Sequence, residues 1–200
     1  MKKSILLFAS TLTVLGLATI GNTAEAAPTD TKDAKFKLTK ADDGTGYDVT
    51  ASNLDFTQQK SSASMIETTS SAEHKISVND FSGSNSGWNL KVSVGDFKGK
   101  LNNVDVVLAG AEIEFPADPT IDKVEGDTAS AANFLPVANT LKIKPGEAAT
   151  TLAKAAANKG QGKWDIVYPA GTIKLKAGSG NTATDYTAKL TYTLSATPDA

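Results

Sequence analysis

Gly87-Trp88-Asn89-Leu90-Lys91-Val92-Ser93-Val94 is the stretch that decides the fold class. From Trp88 onward every second residue is apolar and those between are polar, the period of a strand with one face turned to a core. The pattern returns at the C-terminal end in Tyr186-Thr187-Ala188-Lys189-Leu190-Thr191-Tyr192-Thr193-Leu194-Ser195-Ala196-Thr197-Pro198. In both stretches an aromatic residue and a leucine stand two positions apart, so their side chains leave the same face. The parallel predicts that both strands contribute to one apolar layer, with direct pairing one way to build it. Burial of Trp88 and its leucine stabilises the fold by about 1.5 to 3 kcal/mol for each large side chain. That alone accounts for the motif, so the first reading of Trp88 and Tyr192 is a core role and the second is direct contact with a ligand.

Outward from these two stretches the signal stays strand-like. Short runs rich in Thr, Val, Ile and aromatic residues are expected at Lys35 to Thr39, Tyr47 to Ala51, Lys75 to Asn79, Trp88 to Val94 and Val104 to Phe115. Four more follow, at Thr140 to Lys144, Trp164 to Tyr168, Thr172 to Lys176 and Tyr186 to Ser195. Turn signals separate them at Asp42-Asp43-Gly44-Thr45-Gly46, Ser82 to Gly87 and Gly178-Ser179-Gly180-Asn181. One segment departs from this rhythm. Pro145 to Asn158 is alanine-rich, opens on Pro-Gly-Glu and closes on Asn158 to Gly160, which predicts a short helix near 147–158 lying across an end or edge of the sheets. The expected fold is all-β, a β-sandwich or partly open barrel of about nine to ten mostly antiparallel strands with that one helix.

The N-terminal residues address the compartment. Met1-Lys2-Lys3 is basic, Ser4 to Ile20 is uncharged and apolar, and Ala24-Glu25-Ala26 offers small residues for cleavage, the three parts of a secretory signal. Cleavage after Ala26 leaves residues 27–200 as a single β domain, of roughly 170 residues; a retained membrane anchor is the competing reading of the apolar run. The chain has no cysteine, so a lipid-modified cysteine and thiolate metal sites are excluded and stability rests on the core. Such a chain suits a Gram-positive envelope. Its last residues show no sorting-type tail, so surface retention is expected to be non-covalent. The formal net charge is −2 and every basic residue is lysine. Without the planar fork of arginine, specific nucleic-acid recognition is not expected.

Catalytic and metal chemistry find little support. His74, the single histidine, sits at the start of an expected strand with no nucleophile placed by sequence, and reads as an exposed or edge-strand residue. Asp42-Asp43 lacks the alternating ligands and closing glutamate of a calcium loop and reads as a turn. Gly178-Ser179-Gly180 has no following Lys-Ser/Thr pair or helix and is not a phosphate cradle. No enzyme activity, cofactor or metal is expected. On the polar phase of the strands stand Lys91, Lys142, Lys144, Lys174, Lys176 and Lys189. If the strands share a sheet, these lysines form a face that attracts an anionic wall polymer; otherwise they keep the sheet soluble and discourage edge pairing.

Gly87-Trp88-Asn89-Leu90, Gly160-Gln161-Gly162-Lys163-Trp164 and the closing Tyr186 to Pro198 together resemble the WxL domain family. The likeness is strongest from Leu152 to Pro198, and Tyr192 stands where the family pattern carries a second tryptophan. The resemblance implies a secreted surface protein of Gram-positive bacteria that associates non-covalently with the wall, with peptidoglycan or an associated polymer as its partner. It also implies a structural or bridging part in a surface complex. The alternative is a protein-docking module that reaches the wall through a membrane-anchored or wall-bound partner. The family-motif residues Trp88, Leu90, Trp164, Tyr186, Leu190, Tyr192, Leu194 and Pro198 are the candidate binding set, with burial in the core as the competing role.

Overall fold

The computed structural model describes Phe36, residues 46–125 and residues 137–196. By its internal contacts the chain divides into the units Met1–Lys37 and Leu38–Ala200, and every described strand belongs to the second. The expected leader 1–26, most of the expected strand Lys35 to Thr39, the expected turn at Asp42-Asp43 and Pro198 lie outside the described residues.

Every regular element among the described residues is a strand. In chain order these are β1 (Tyr47–Ala51), β2 (Ile66–Thr69), β3 (His74–Asp80), β4 (Trp88–Val94), β5 (Lys98–Leu101), β6 (Val104–Val107) and β7 (Glu112–Phe115). They continue with β8 (Thr120–Glu125), β9 (Val137–Ala138), β10 (Leu141–Ile143), β11 (Thr150–Ala155), β12 (Gly162–Tyr168), β13 (Lys174–Ala177) and β14 (Leu190–Ser195). All pairings are antiparallel. They build three four-stranded sheets, β1-β3-β12-β8, β10-β7-β13-β2 and β14-β4-β11-β9, and a separate β5-β6 ribbon. Each sheet is open, so the described residues form no closed barrel.

One core serves all three large sheets. Ile76, Val78 and Ile166 come from the first, Ile113, Phe115 and Ile143 from the second, and Trp88, Leu90, Val92 and Leu152 from the third. The period-two alternation of β4 and β12 decides which residues enter it, because a strand between two neighbours can bury only one phase of its side chains against a common layer.

The expected helix at 147–158 is a strand. Pro145-Gly146 is a turn in which the backbone N–H of Glu147 donates to the Lys144 carbonyl at 3.2 Å and the Glu147 carboxylate accepts from the Lys144 N–H at 3.0 Å. The sequence signals of a helix start are thus the signals of a turn that carries the chain from one sheet to another. β11 lies between β4 and β9, and its alanines Ala153 and Ala155 pair with Leu90 and Trp88. Beside an indole a small side chain fits where a larger one does not, so packing overrides the helical propensity of alanine. A register shift between Thr151 and Ala153 marks a bulge, and it lets the adjacent Leu152 and Ala153 both face inward.

The strands also outnumber the expected nine to ten. Val104 to Phe115 is two strands, because Gly110 turns the chain at φ 69° after β6 has folded back on β5 through Asn102-Asn103. The closing strand begins at Leu190 and not at Tyr186, although Thr187 still bridges Lys98.

Candidate functional site

The two tryptophans are fully buried. The Trp88 indole N–H donates to the Gly160 carbonyl at 3.0 Å, and that of Trp164 to the Gln161 carbonyl at 3.0 Å. Gly160 has φ 74°, and a Cβ there would lie 2.5 Å from the Trp88 indole nitrogen. Gly87, at φ 73°, faces the backbone of Ala155 and Ala156, whose carbonyl atoms leave no room for a methyl group. The Gly-Trp-Asn-Leu motif therefore sets its indole against Gly160 and its own glycine against the end of β11. Leu90 is equally buried. The ammonium of Lys123 sits 5.5 Å from the centre of the Trp164 ring.

The closing strand behaves differently. β14 pairs directly with β4, setting Leu190 opposite Val94, Tyr192 opposite Val92 and Leu194 opposite Leu90. Cross-strand partners share a face, so these residues continue the apolar layer of β4. β14 is an edge strand, however, and its inward-facing Leu190, Tyr192 and Leu194 are only half-buried. Tyr186, Leu190 and Tyr192 line an open cleft of about 1080 Å³. Its other wall is the segment 52–61, which contributes Leu54 and Phe56, and further lining comes from Phe97, Leu108 and Leu175. Ser61 Oγ donates to the Asn181 carbonyl at 3.0 Å and the Gly180 N–H to the Ser62 carbonyl at 3.1 Å, tying the walls together.

His74 is a cleft residue, where the sequence pattern suggests an exposed or edge position. It is 1 % exposed, on β3 between β1 and β12, and not at an exposed edge. Its place in the phase of Ile76 and Val78 is the signal that points inward. Its Nε2 lies 2.8 Å from the Tyr192 hydroxyl, and its Nδ1 3.3 Å from both the Asn53 carbonyl and Ser52 Oγ. A carbonyl only accepts, so Nδ1 carries the proton and Nε2 accepts from Tyr192. With that tautomer the imidazole has no lone pair for Ser52, whose oxygen instead accepts the Lys75 N–H at 2.9 Å. Burial holds the His74 pKa below its usual value, against the opposing effect of the Asn53 bond. Burial likewise pushes the Tyr192 phenol up, with Tyr168 adding to the shift. Tyr168 stands opposite His74 across the β3-β12 pair, meets Phe115 edge-on at 5.5 Å, and its buried hydroxyl has no partner.

Four of the six candidate lysines share the outer face of the β10-β7-β13-β2 sheet, and carboxylates interleave with them. Lys142 pairs with Glu114 at 3.4 Å, Lys144 with Glu112 at 3.7 Å, Lys174 with Glu67 at 3.6 Å, and Lys176 with Glu114 and Glu67 at 3.6 and 3.8 Å. Partial burial alone would raise the Glu114 pKa, but the lysines, Lys142 first, outweigh it and hold the carboxyl below its ordinary value. Lys91 and Lys189 stand apart from this ladder, on β4 and just before β14. Pro198 lies outside the described residues. Among the described residues no cluster of His, Asp and Glu has the make-up of a metal centre, and no helix is long and apolar enough to cross a membrane.

Neither the curated proteins nor the solved structures yield a match to this chain. The family model of the WxL domain, described as surface cell wall-binding, matches residues 21–198, almost the whole sequence and all three motif regions. This chain belongs to the WxL domain family of surface cell wall-binding proteins.

Proposed function

We propose that this protein is secreted by means of residues 1–26 and that residues 27–200 form a single domain attaching non-covalently to peptidoglycan. It serves as a structural or bridging component of a surface complex and acts by binding, without enzymatic chemistry. The observation that carries this reading is the unequal fate of the motif aromatics. Trp88 and Trp164 are spent on the core, whereas Tyr186 and Tyr192 border an open cleft. A cleft with aromatic walls and polar rims is the usual form of a small-ligand or sugar site. The lysine ladder is less well suited to be the wall contact, because its charges are interleaved with glutamates.

A second reading has its own observation. The β5-β6 ribbon exposes Leu101 and Val104, partners across the ribbon, with Val104 64 % exposed, an apolar patch suited to a partner protein. Purified protein incubated with protein-free cell walls separates the two. Retention on bare walls supports direct attachment, and retention only after a partner is supplied supports docking.

A further inference from the structure

Several side-chain protons around the cleft are committed to the protein. Tyr192 donates to His74 Nε2, and Tyr186 donates to the Thr182 carbonyl at 2.8 Å. On the opposite wall Thr68 donates to the Thr57 carbonyl at 2.6 Å, and Gln59 Nε2 donates to Thr68 Oγ1 at 3.4 Å. At the rim Thr184 donates to the Lys100 carbonyl at 2.8 Å, as Ser61 does to Asn181. A hydroxyl whose proton is engaged retains only its lone pairs, so these five hydroxyls meet a ligand as acceptors. Charge points the same way. Asp55 and Asp185 line the cleft, and among the described residues no lysine does. An acidic polymer would bring like charges into a concave site where field lines are focused, while a neutral chain rich in O–H and N–H donors finds partners at every wall.

Resting on the wall-attachment reading, we propose that the cleft is the ligand site and takes an uncharged, donor-rich oligosaccharide. The Tyr192 oxygen, fixed as an acceptor by His74, is its specificity-determining contact. His74 is a positioning residue in this scheme, since it acts through Tyr192. Tyr186 and Tyr192 additionally offer ring faces to the apolar C–H faces of sugars. The lysine ladder has no part in selection.

The test uses the full chain and a β-1,4-linked N-acetylglucosamine tetramer, with soluble poly(glycerol phosphate) and a lysine-rich extended peptide as competitors. Titration followed by NMR is expected to shift the signals of Tyr186, Tyr192 and Thr68. Tyr192→Phe, shown to be folded by its melting curve, should weaken tetramer binding about tenfold, the worth of one hydrogen bond left unmade. If that variant does not fold, the shift map of the unmodified protein decides. Shifts confined to other surfaces, or displacement of the tetramer from the cleft by the acidic polymer or the peptide, overturn the proposal. A wall pull-down runs in parallel. Retention on walls with no tetramer in the cleft overturns the ligand site and leaves wall attachment standing. Tetramer binding in the cleft without retention upholds the site and removes direct attachment.

Discussion

Trp88 and Tyr192 occupy comparable places in two adjacent strands and meet opposite fates. Trp88 is on β4, flanked by β11 and β14, and is fully enclosed; Tyr192 is on β14, the outermost strand of the same sheet, and stays half-buried at a cleft wall. Alternation assigns both to the same face. What separates them is position in the sheet, because an interior strand is covered from both sides and an edge strand from one. The difference teaches that a family motif can be enclosed in the core in one half and line an open cleft in the other.

If Trp88 is purely structural, its removal should act on stability and nothing else. Trp88→Ala is expected to cost about 3 to 5 kcal/mol, read from the urea midpoint, and Gly160→Ala to be comparably severe because its methyl has no space. A Trp88→Ala protein that stayed stable but lost wall binding would reverse the assignment. Tyr192→Phe should be milder. It leaves His74 Nε2 without its donor, at about 1 to 3 kcal/mol, and its larger consequence should be on ligand binding.

The cleft side should also be the pH-sensitive side. His74 in the folded protein holds its pKa below the ordinary 6.5, so between the two values the unfolded chain binds a proton that the folded chain does not. The stability contributed by neutral His74 is complete above pH 6.5 and is lost as pH falls toward the folded value. Urea midpoints measured at about pH 7.5 and about pH 5.5 should drop on acidification, and a His74→Asn variant should show a flatter profile. Tyr168→Phe removes a buried hydroxyl that has no partner, so stability should hold or rise by about 1 kcal/mol in thermal melts. The smallest effect is expected from joint replacement of Lys142, Lys144, Lys174 and Lys176 with glutamine. Each surface ion pair contributes only about 0 to 1 kcal/mol. Wall retention should remain unchanged at low and high salt, and a salt-dependent loss would return the ligand surface to the lysine face.

Much of the β architecture is legible in the sequence because alternation is a local property. β1 and β4 can be read residue for residue, and β3, β10, β12 and β13 within their ends. β11 misleads because alanine propensity, a proline and a glycine are local signals, while the pressure for small side chains beside Trp88 comes from a residue more than sixty positions away in sequence. β2, β5 and β8 carry serine, glycine, lysine and aspartate in or beside short runs, and their pairing is fixed by neighbours rather than by their own pattern. The site is half legible. Tyr186, Leu190 and Tyr192 are candidates from sequence, but His74 and the 52–61 wall join them only when β1, β3 and β14 come together.

By itself the sequence determined the family, the strand class and the inward phase of β4, β10, β13 and β14, since these follow from residue type and a period of two. Only the tertiary structure decided that β14 is an edge, that lysines and glutamates share one face, and that Tyr192 donates its proton to His74. Those outcomes depend on which strands become neighbours, and pairing between distant segments is set by the whole core and written in no single stretch of chain.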